Sequence, residues 1–263
     1  MSRFIWFIYL ASGLCVLCTA SIENVILTGR ITSKSPAANL PGEVNVLQLM
    51  NVSAKDPGVS LVEGAILKYP AYKFRLPYEN VPLANSSAIT EAMMAESGFT
   101  VLFLYRQQKN NLGTLISVNS PGKLTPWFQI NSNLKTNTLT VRYILVGTHN
   151  LRQIDFKLPK QFHRKSSLAA WLWVGFTFDF KTGTVRLDLD CLPSQFELLN
   201  SKRKHQRITL TSDSLVYFRQ EPGRKKKFLG SMQVAKILPY ITEQRPWTCL
   251  QILEHNKHKP LVD

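Results

Sequence analysis

Three runs of basic side chains mark the 263-residue chain. Lys202-Arg203-Lys204-His205-Gln206-Arg207 and Arg224-Lys225-Lys226-Lys227 are dense, and Lys160, Arg164 and Lys165 gather around His163. Like charges held this close repel one another, and a polyanion relieves the repulsion. Arg offers planar bidentate donors and Lys a compact point charge, a pairing that suits sulfate groups. Affinity from such clusters comes largely from released counterions and falls steeply with salt. The same runs also read as a solvated face that only keeps the protein soluble. Lys and Arg number 32 against 17 Asp and Glu, a formal charge of +15 that favours anionic partners.

Reaction chemistry finds no comparable pattern. The chain has no HExxH, GxSxG, Walker-type loop or Rossmann glycine signature. His255 and His258 are three apart and read as solvated residues of a tail. Asp179, Asp188 and Asp190 raise the question of calcium, but Asp188 and Asp190 fall on one face of a strand, where pairing with Lys or Arg is the plainer account. A glycosidase needs two carboxylates across a cleft, and no such pair is recognisable. The expectation is a binding protein, not an enzyme, with no cofactor and no metal.

The amino terminus sets the compartment. Arg3, the apolar stretch from Phe4 to Leu17 and the small residues around Cys18-Thr19-Ala20 have the layout of a secretory signal peptide over 1–20. Its removal takes away one cation, Arg3, and leaves a charge of about +14. No later apolar run reaches the ~18–20 residues that span a bilayer, so no membrane insertion is expected. Export also argues against nucleic acid as the partner. Of the four Cys, Cys191 and Cys249 remain, an even pair for which one disulfide is expected. Free or intermolecular thiols are the rival reading. Two isolated Cys cannot build a zinc cage. Asn51-Val52-Ser53 and Asn85-Ser86-Ser87 become glycosylation acceptors in the secretory pathway.

The elements that must position these groups are mostly strands. Val44 to Met50 predicts one or two helical turns, and Glu91 to Ser97 a second short helix closed by Gly98. Period-two patterns then follow: 99–106, 114–118, 127–131, 138–146, 153–158, 173–180, 184–191, 207–210, 215–219 and 228–238. Val185, Leu187 and Leu189 alternate inward while Arg186, Asp188 and Asp190 point out. About ten strands with almost no helix predict an all-β sandwich or jelly roll.

The order of these segments resembles the thrombospondin N-terminal-like family, a relative of the laminin G fold. Gly58 to Gly64 (GVSLVEG) and Tyr69 to Phe74 (YPAYKF) look like its opening. Gly98 to Gln107 (GFTVLFLYRQ) resembles its first long core strand, and Gly113 to Ser117 (GTLIS) the hairpin partner. Trp173, the Asp190-Cys191 pair, Leu229 to Gln233 (LGSMQ) and Cys249 stand where the family places a tryptophan, a strand ending in Asp-Cys, a last sheet strand and a closing cysteine. The similarity runs from about Val44 to Cys249, and the amino-terminal domains of thrombospondins and type IX collagen compare best. It departs at Val174, where the family often has His or Lys.

This resemblance implies a single laminin G or concanavalin-like jelly-roll sandwich of two antiparallel sheets over 21–249, with one or two short helices near its start and a tail at 250–263. It also implies a secreted extracellular-matrix module that captures heparin or heparan sulfate. The family's basic positions, after the first helix and in the turn after the first long strand, match Ala54 to Pro57 and Gln107 to Asn111 here, where only Lys55 and Lys109 are basic. The full set of expected polyanion contacts is therefore Lys55, Lys109, Lys160, Arg164, Lys165, Lys202, Arg203, Lys204, Arg207, Arg224, Lys225, Lys226 and Lys227. The alternative is a protein-interaction or assembly module for a matrix protein, receptor or growth factor, its charge incidental. A calcium or small-sugar lectin is a third class.

Overall fold

A computed structural model describes residues 42–66, 69–77, 82–158, 170–199, 206–224 and 226–245, together with Cys249. The side chain of Arg224 is not among them. The signal peptide expected at 1–20 and the tail at 250–263 lie outside the described residues. All described strands fall within the compact unit Asn39–Pro246, and Cys249 belongs to a second unit.

Two antiparallel sheets form the sandwich. The larger contains β1 (Val44–Asn45), β2 (Val59–Glu63), β3 (Pro70–Phe74), β4 (Gly98–Gln107), β9 (Leu172–Asp179), β10 (Thr184–Leu189), β11 (Gln195–Leu198) and β13 (Gly230–Leu238). Its order is β11-β10-β9-β4-β13-β3-β2, and β1 also pairs with β13. The smaller sheet runs β12-β5-β6-β7-β8, made of β5 (Leu112–Asn119), β6 (Pro126–Asn133), β7 (Thr138–Ile144), β8 (Leu151–Lys157) and β12 (Leu215–Phe218).

Alternation explains what the sheets bury. Phe99, Val101, Phe103 and Tyr105 of β4 face Phe128 and Ile130 of β6 and the Phe176–Phe178 face of β9 in one core. Phe99 stacks on Phe178 at 4.7 Å between ring centres, and Phe128 meets Phe178 edge-on at 5.2 Å. Such pairs add about 0.5–1.5 kcal/mol beyond the area they bury. Yet β4 is buried on its other face too. Leu102, Leu104, Trp173, Val234 and Leu238 form a second cluster on the outer side, with Trp171 and Tyr240 packed against it.

The chain after β13 provides the cover. Residues 239–245 cross the outside of the larger sheet as a strap held by side chains beneath it. Thr100 and Thr177 donate to the carbonyls of Tyr240 and Thr242 at 2.9 and 3.1 Å, and the Trp173 indole donates to Gln244 O at 2.9 Å. Arg186 and Asp188 do point outward as their alternation requires, but they lie under the strap: Asp188 is 1% exposed. Arg245 closes the strap on that carboxylate, Nη2 to Oδ1 at 2.9 Å, while Arg186 Nε takes Oδ2 at 3.0 Å. Cys191 and Cys249 are both disulfide-bonded.

Three local expectations need correction. The second helix, α2, runs over Ser86–Met93 and not Glu91 to Ser97. Ile89, Ala92 and Met93 give it a buried face against the core, so it starts earlier and stops at Met94. The strand expected at 207–210 reduces to a single bridge, Ile208 to Leu145. In addition, β1, β2, β3 and β11 carry the count past ten. The first helix, α1, occupies Val46–Leu49 inside the expected span.

Candidate functional site

One cross-strand row defines an end of the sandwich. Val59 opposes Phe74, Phe74 opposes Gly230, and Gly230 opposes Gln107, so β2 and β13 begin where β3 and β4 finish. Gly230 has φ of 151°, and a Cβ there would collide with the carbonyl of Arg106, so this close approach needs glycine.

The turns at this end bring distant cations together. Lys55 is exposed in the turn before β2, which Asp56 closes by accepting the N–H of Ser53 at 2.8 Å. Arg75 follows β3 and donates its backbone N–H to Gly58 O at 2.7 Å. Lys109 lies in the β4–β5 turn. Asn111 ties that turn to the basic run before β13: its amide donates to Lys227 O at 3.0 Å, and its Oδ1 accepts from Leu229 N at 3.1 Å. Gln108 N donates to Leu229 O and Thr114 N to Lys226 O, both at 2.8 Å. Lys135, in the next turn, and Lys157, at the end of β8, are exposed at the same end.

A second feature was not apparent as a cluster in the sequence. On the outer face of the larger sheet, Ser60 opposes Lys73, Lys73 opposes Ser231, and Ser231 opposes Arg106. Two strand spacings put the Lys73 and Arg106 backbones roughly 10 Å apart. Arg106 is pre-positioned, with its guanidinium carbon 5.1 Å from the Trp171 ring centre and Nε 3.4 Å from Ser231 Oγ. Neither cation joins an ion pair among the described residues. The signal available was phase: Lys73 follows the core-facing Tyr72 position, and Arg106 follows Tyr105, so each must point out.

The expected contacts thus divide. Lys55, Lys109, Lys226, Lys227 and the backbone of Arg224 belong to the end just described. Lys226 is partly occupied, its Nζ lying 3.0 Å from Glu221 Oε2. Arg207 belongs to the opposite end, where its carbonyl accepts from Val146 N at 2.9 Å and its guanidinium lies 3.8 Å from Glu96. Lys160, Arg164, Lys165, Lys202, Arg203, Lys204 and Lys225 lie outside the described residues.

The acidic residues are engaged in the fold. Asp188 accepts from Arg186, Arg245 and, at 2.6 Å, Ser194. Asp190 accepts from Trp173 N at 2.8 Å, and burial pushes its carboxyl up against that hydrogen bond. Asp179 caps the turn at Lys181 and Thr182. Among the described residues no group of three or more His, Cys, Asp or Glu could hold a metal. Asn51 and Asn85, the expected glycan acceptors, are both exposed.

No family model matches the chain. Thrombospondin-2 of Bos taurus is 25% identical over 193 residues, 72% of this chain and 15% of that protein. Thrombospondin-2 of Homo sapiens matches with the same identity and coverage. The chain is therefore similar to the thrombospondins over most of its length. The chain spans less than a sixth of the thrombospondin-2 relatives it matches. The Ruminococcus gnavus IT-sialidase CBM40 structure shares the fold of this chain, with a TM-score of 0.50 at 10% identity over 71% of this chain and 92% of that one. The β4–β5 turn and the segment after α1 lie at the same end of the sandwich.

Proposed function

We propose that this domain is a secreted extracellular-matrix module that captures sulfated glycosaminoglycans such as heparin or heparan sulfate. The contacts are Lys55, Lys109, the 224–227 run and the Lys73–Arg106 row. The observation that carries the reading is convergence: cations from four separate segments meet at one end of the sandwich, beside an outer-face row that lacks acidic partners among the described residues. A sulfated chain lying along that end meets Lys as point charges and Arg106 as a fixed planar donor. The remaining expected cations at 160–165 and 202–204 are proposed as further contacts, while Arg207, at the opposite end beside Glu96, is left out of the site. The work is binding and needs no reaction.

The test is salt-gradient elution of the mature protein from heparin and from a sulfonate cation exchanger. Retention on heparin well beyond the exchanger, lost on replacing Lys73 and Arg106, supports the site. Equal elution from both resins reduces the charge to a bulk property.

A second reading, docking of a matrix or cell-surface protein, has its own observation. On edge strand β11, Phe196 and Leu198 are 63% and 57% exposed and share one face. A partner held there survives salt that strips a polyanion.

A further inference from the structure

We infer that Asn51 is an N-glycosylation site whose oligosaccharide regulates the basic end, acting as a tethered competitor when it ends in acidic sugars. The inference rests on the polyanion reading of that end.

Asn51 is exposed and holds φ of 47°, a left-handed conformation that Asn and Gly tolerate, so its side chain projects from the turn closing α1. Its acceptor hydroxyl belongs to the basic turn itself. Ser53 Oγ accepts the backbone N–H of Lys55 at 3.1 Å, and Ser53 N donates to Asp56. Asp56 O in turn accepts from Val59, the first residue of β2 and a member of the row that defines the basic end. Asn51 and Lys55 are four residues apart, at most roughly 14 Å even for an extended chain. A glycan rooted there samples the space in front of Lys55, Arg75 and Lys109.

The second acceptor is a control within the same molecule. Asn85 precedes α2, and the adjacent Ser86 Oγ accepts from Val216 N at 3.0 Å on edge strand β12. Val216 opposes Val118, toward the end of β5 away from Lys109. A glycan at Asn85 starts from the margin of the smaller sheet.

Tethering makes the competition effective. Acidic sugars attached near a site act at effective concentrations in the millimolar range, and their carboxylates neutralise lysines that a sulfated chain would otherwise meet. A neutral glycan supplies only bulk. Acid-terminated and neutral glycoforms therefore differ in affinity for the same polyanion.

The experiment uses full-length chain secreted from mammalian cells, as wild type, Asn51→Gly, Asn85→Gln and Ser53→Thr. Gly keeps the positive φ while removing the acceptor, and Thr keeps the acceptor. Site occupancy is read by mass spectrometry after glycan removal, and elution from heparin is read before and after sialidase. Sialidase is expected to delay elution of wild type, Asn85→Gln and Ser53→Thr by the equivalent of roughly twofold to fivefold in affinity, the size of one or two exposed ion pairs. Asn51→Gly is expected not to shift. An unoccupied Asn51, or an equal shift in Asn51→Gly, overturns the inference. Wild type eluting alike from heparin and sulfonate overturns the polyanion reading instead, and occupancy at Asn51 is scored separately from it.

Discussion

Each end of the sandwich holds members of a basic run, Lys226 and Lys227 at one and Arg207 at the other, and the two differ in what surrounds them. At the Lys109 end, turns from both sheets converge and Asn111 fastens them together. At the opposite end, Arg207 extends from a loop joined to β7 by the Leu145–Ile208 bridge, and it already lies near Glu96. The ends also differ in how they are held. Arg245 reaches into the β10–β11 turn at the Lys109 end and binds Asp188, Ser194 and the carbonyl of Leu192. A run of lysines in sequence therefore measures local charge, while a site depends on which turns the topology brings beside it.

The largest effect expected from breaking that comparison is on stability. Arg245→Ala leaves Asp188 buried with one of its two guanidinium partners gone and releases the strap. Breaking a buried pair from one side costs about 3–5 kcal/mol. Arg207→Ala, whose pair is 51% and 91% exposed, is expected to cost less than about 0.5 kcal/mol. Urea unfolding of the two variants measures the contrast. Equal midpoints would mean that the ends are held alike.

Affinity is the next test. Lys73→Ala with Arg106→Ala is expected to weaken heparin binding roughly 100-fold, at about 1.4 kcal/mol for each lost charged contact. It should also flatten the dependence on salt. Arg207→Ala is expected to change affinity less than about twofold. Titration calorimetry at two salt concentrations separates the outcomes, and a matching loss in Arg207→Ala would erase the distinction between ends.

Much of the frame was legible because it follows from alternation. Val185, Leu187 and Leu189 must face one way, and the 99–106 pattern fixes β4 regardless of its neighbours. Less legible were elements whose burial depends on remote chain. Arg207 to Leu210 looks like a strand, yet only Ile208 finds a bridging partner. The α2 boundaries follow from where Ile89 and Met93 meet the core, which helix propensity at Glu91 to Ser97 does not reveal. The site divided in the same way. Lys55, Lys109 and 224–227 were visible as basic turns or runs. Lys73 and Arg106 were single cations inside apolar strands, and only the register through Ser231 makes them neighbours. The strap was equally hidden, since nothing local marks 239–245 as the cover for Asp188.

A smaller change sharpens the account of the basic end. Glu221 holds Lys226 at 3.0 Å and also accepts from Gln129 at 3.2 Å. A sulfated ligand must compete with that carboxylate for Lys226. Glu221→Gln keeps an acceptor for Gln129 but removes the charge, so heparin affinity is expected to rise about threefold, the order of one partly exposed ion pair. Unchanged elution would exclude Lys226 from the contact.

The smallest expected effect concerns Asp190, beside Cys191 in the turn after β10. Burial raises its carboxyl pKa above that of an ordinary aspartate, and the Trp173 N–H only partly offsets this. A carboxyl with a raised folded-state pKa favours its protonated form when folded. Its ionised form therefore costs stability above the folded pKa, and the cost shrinks as pH falls toward the unfolded value. Asn at this position keeps an oxygen for Trp173 N–H and tolerates the φ of 40°. Asp190→Asn is expected to raise Tm by about 1–2 °C at pH 7. The gain should vanish at pH ~2.5, more than one unit below the roughly 3.9 of an unperturbed Asp, where the wild-type carboxyl is protonated in both states. Thermal melts of both proteins at the two pH values measure it. A gain that persisted in acid would trace to something other than the buried Asp190 charge.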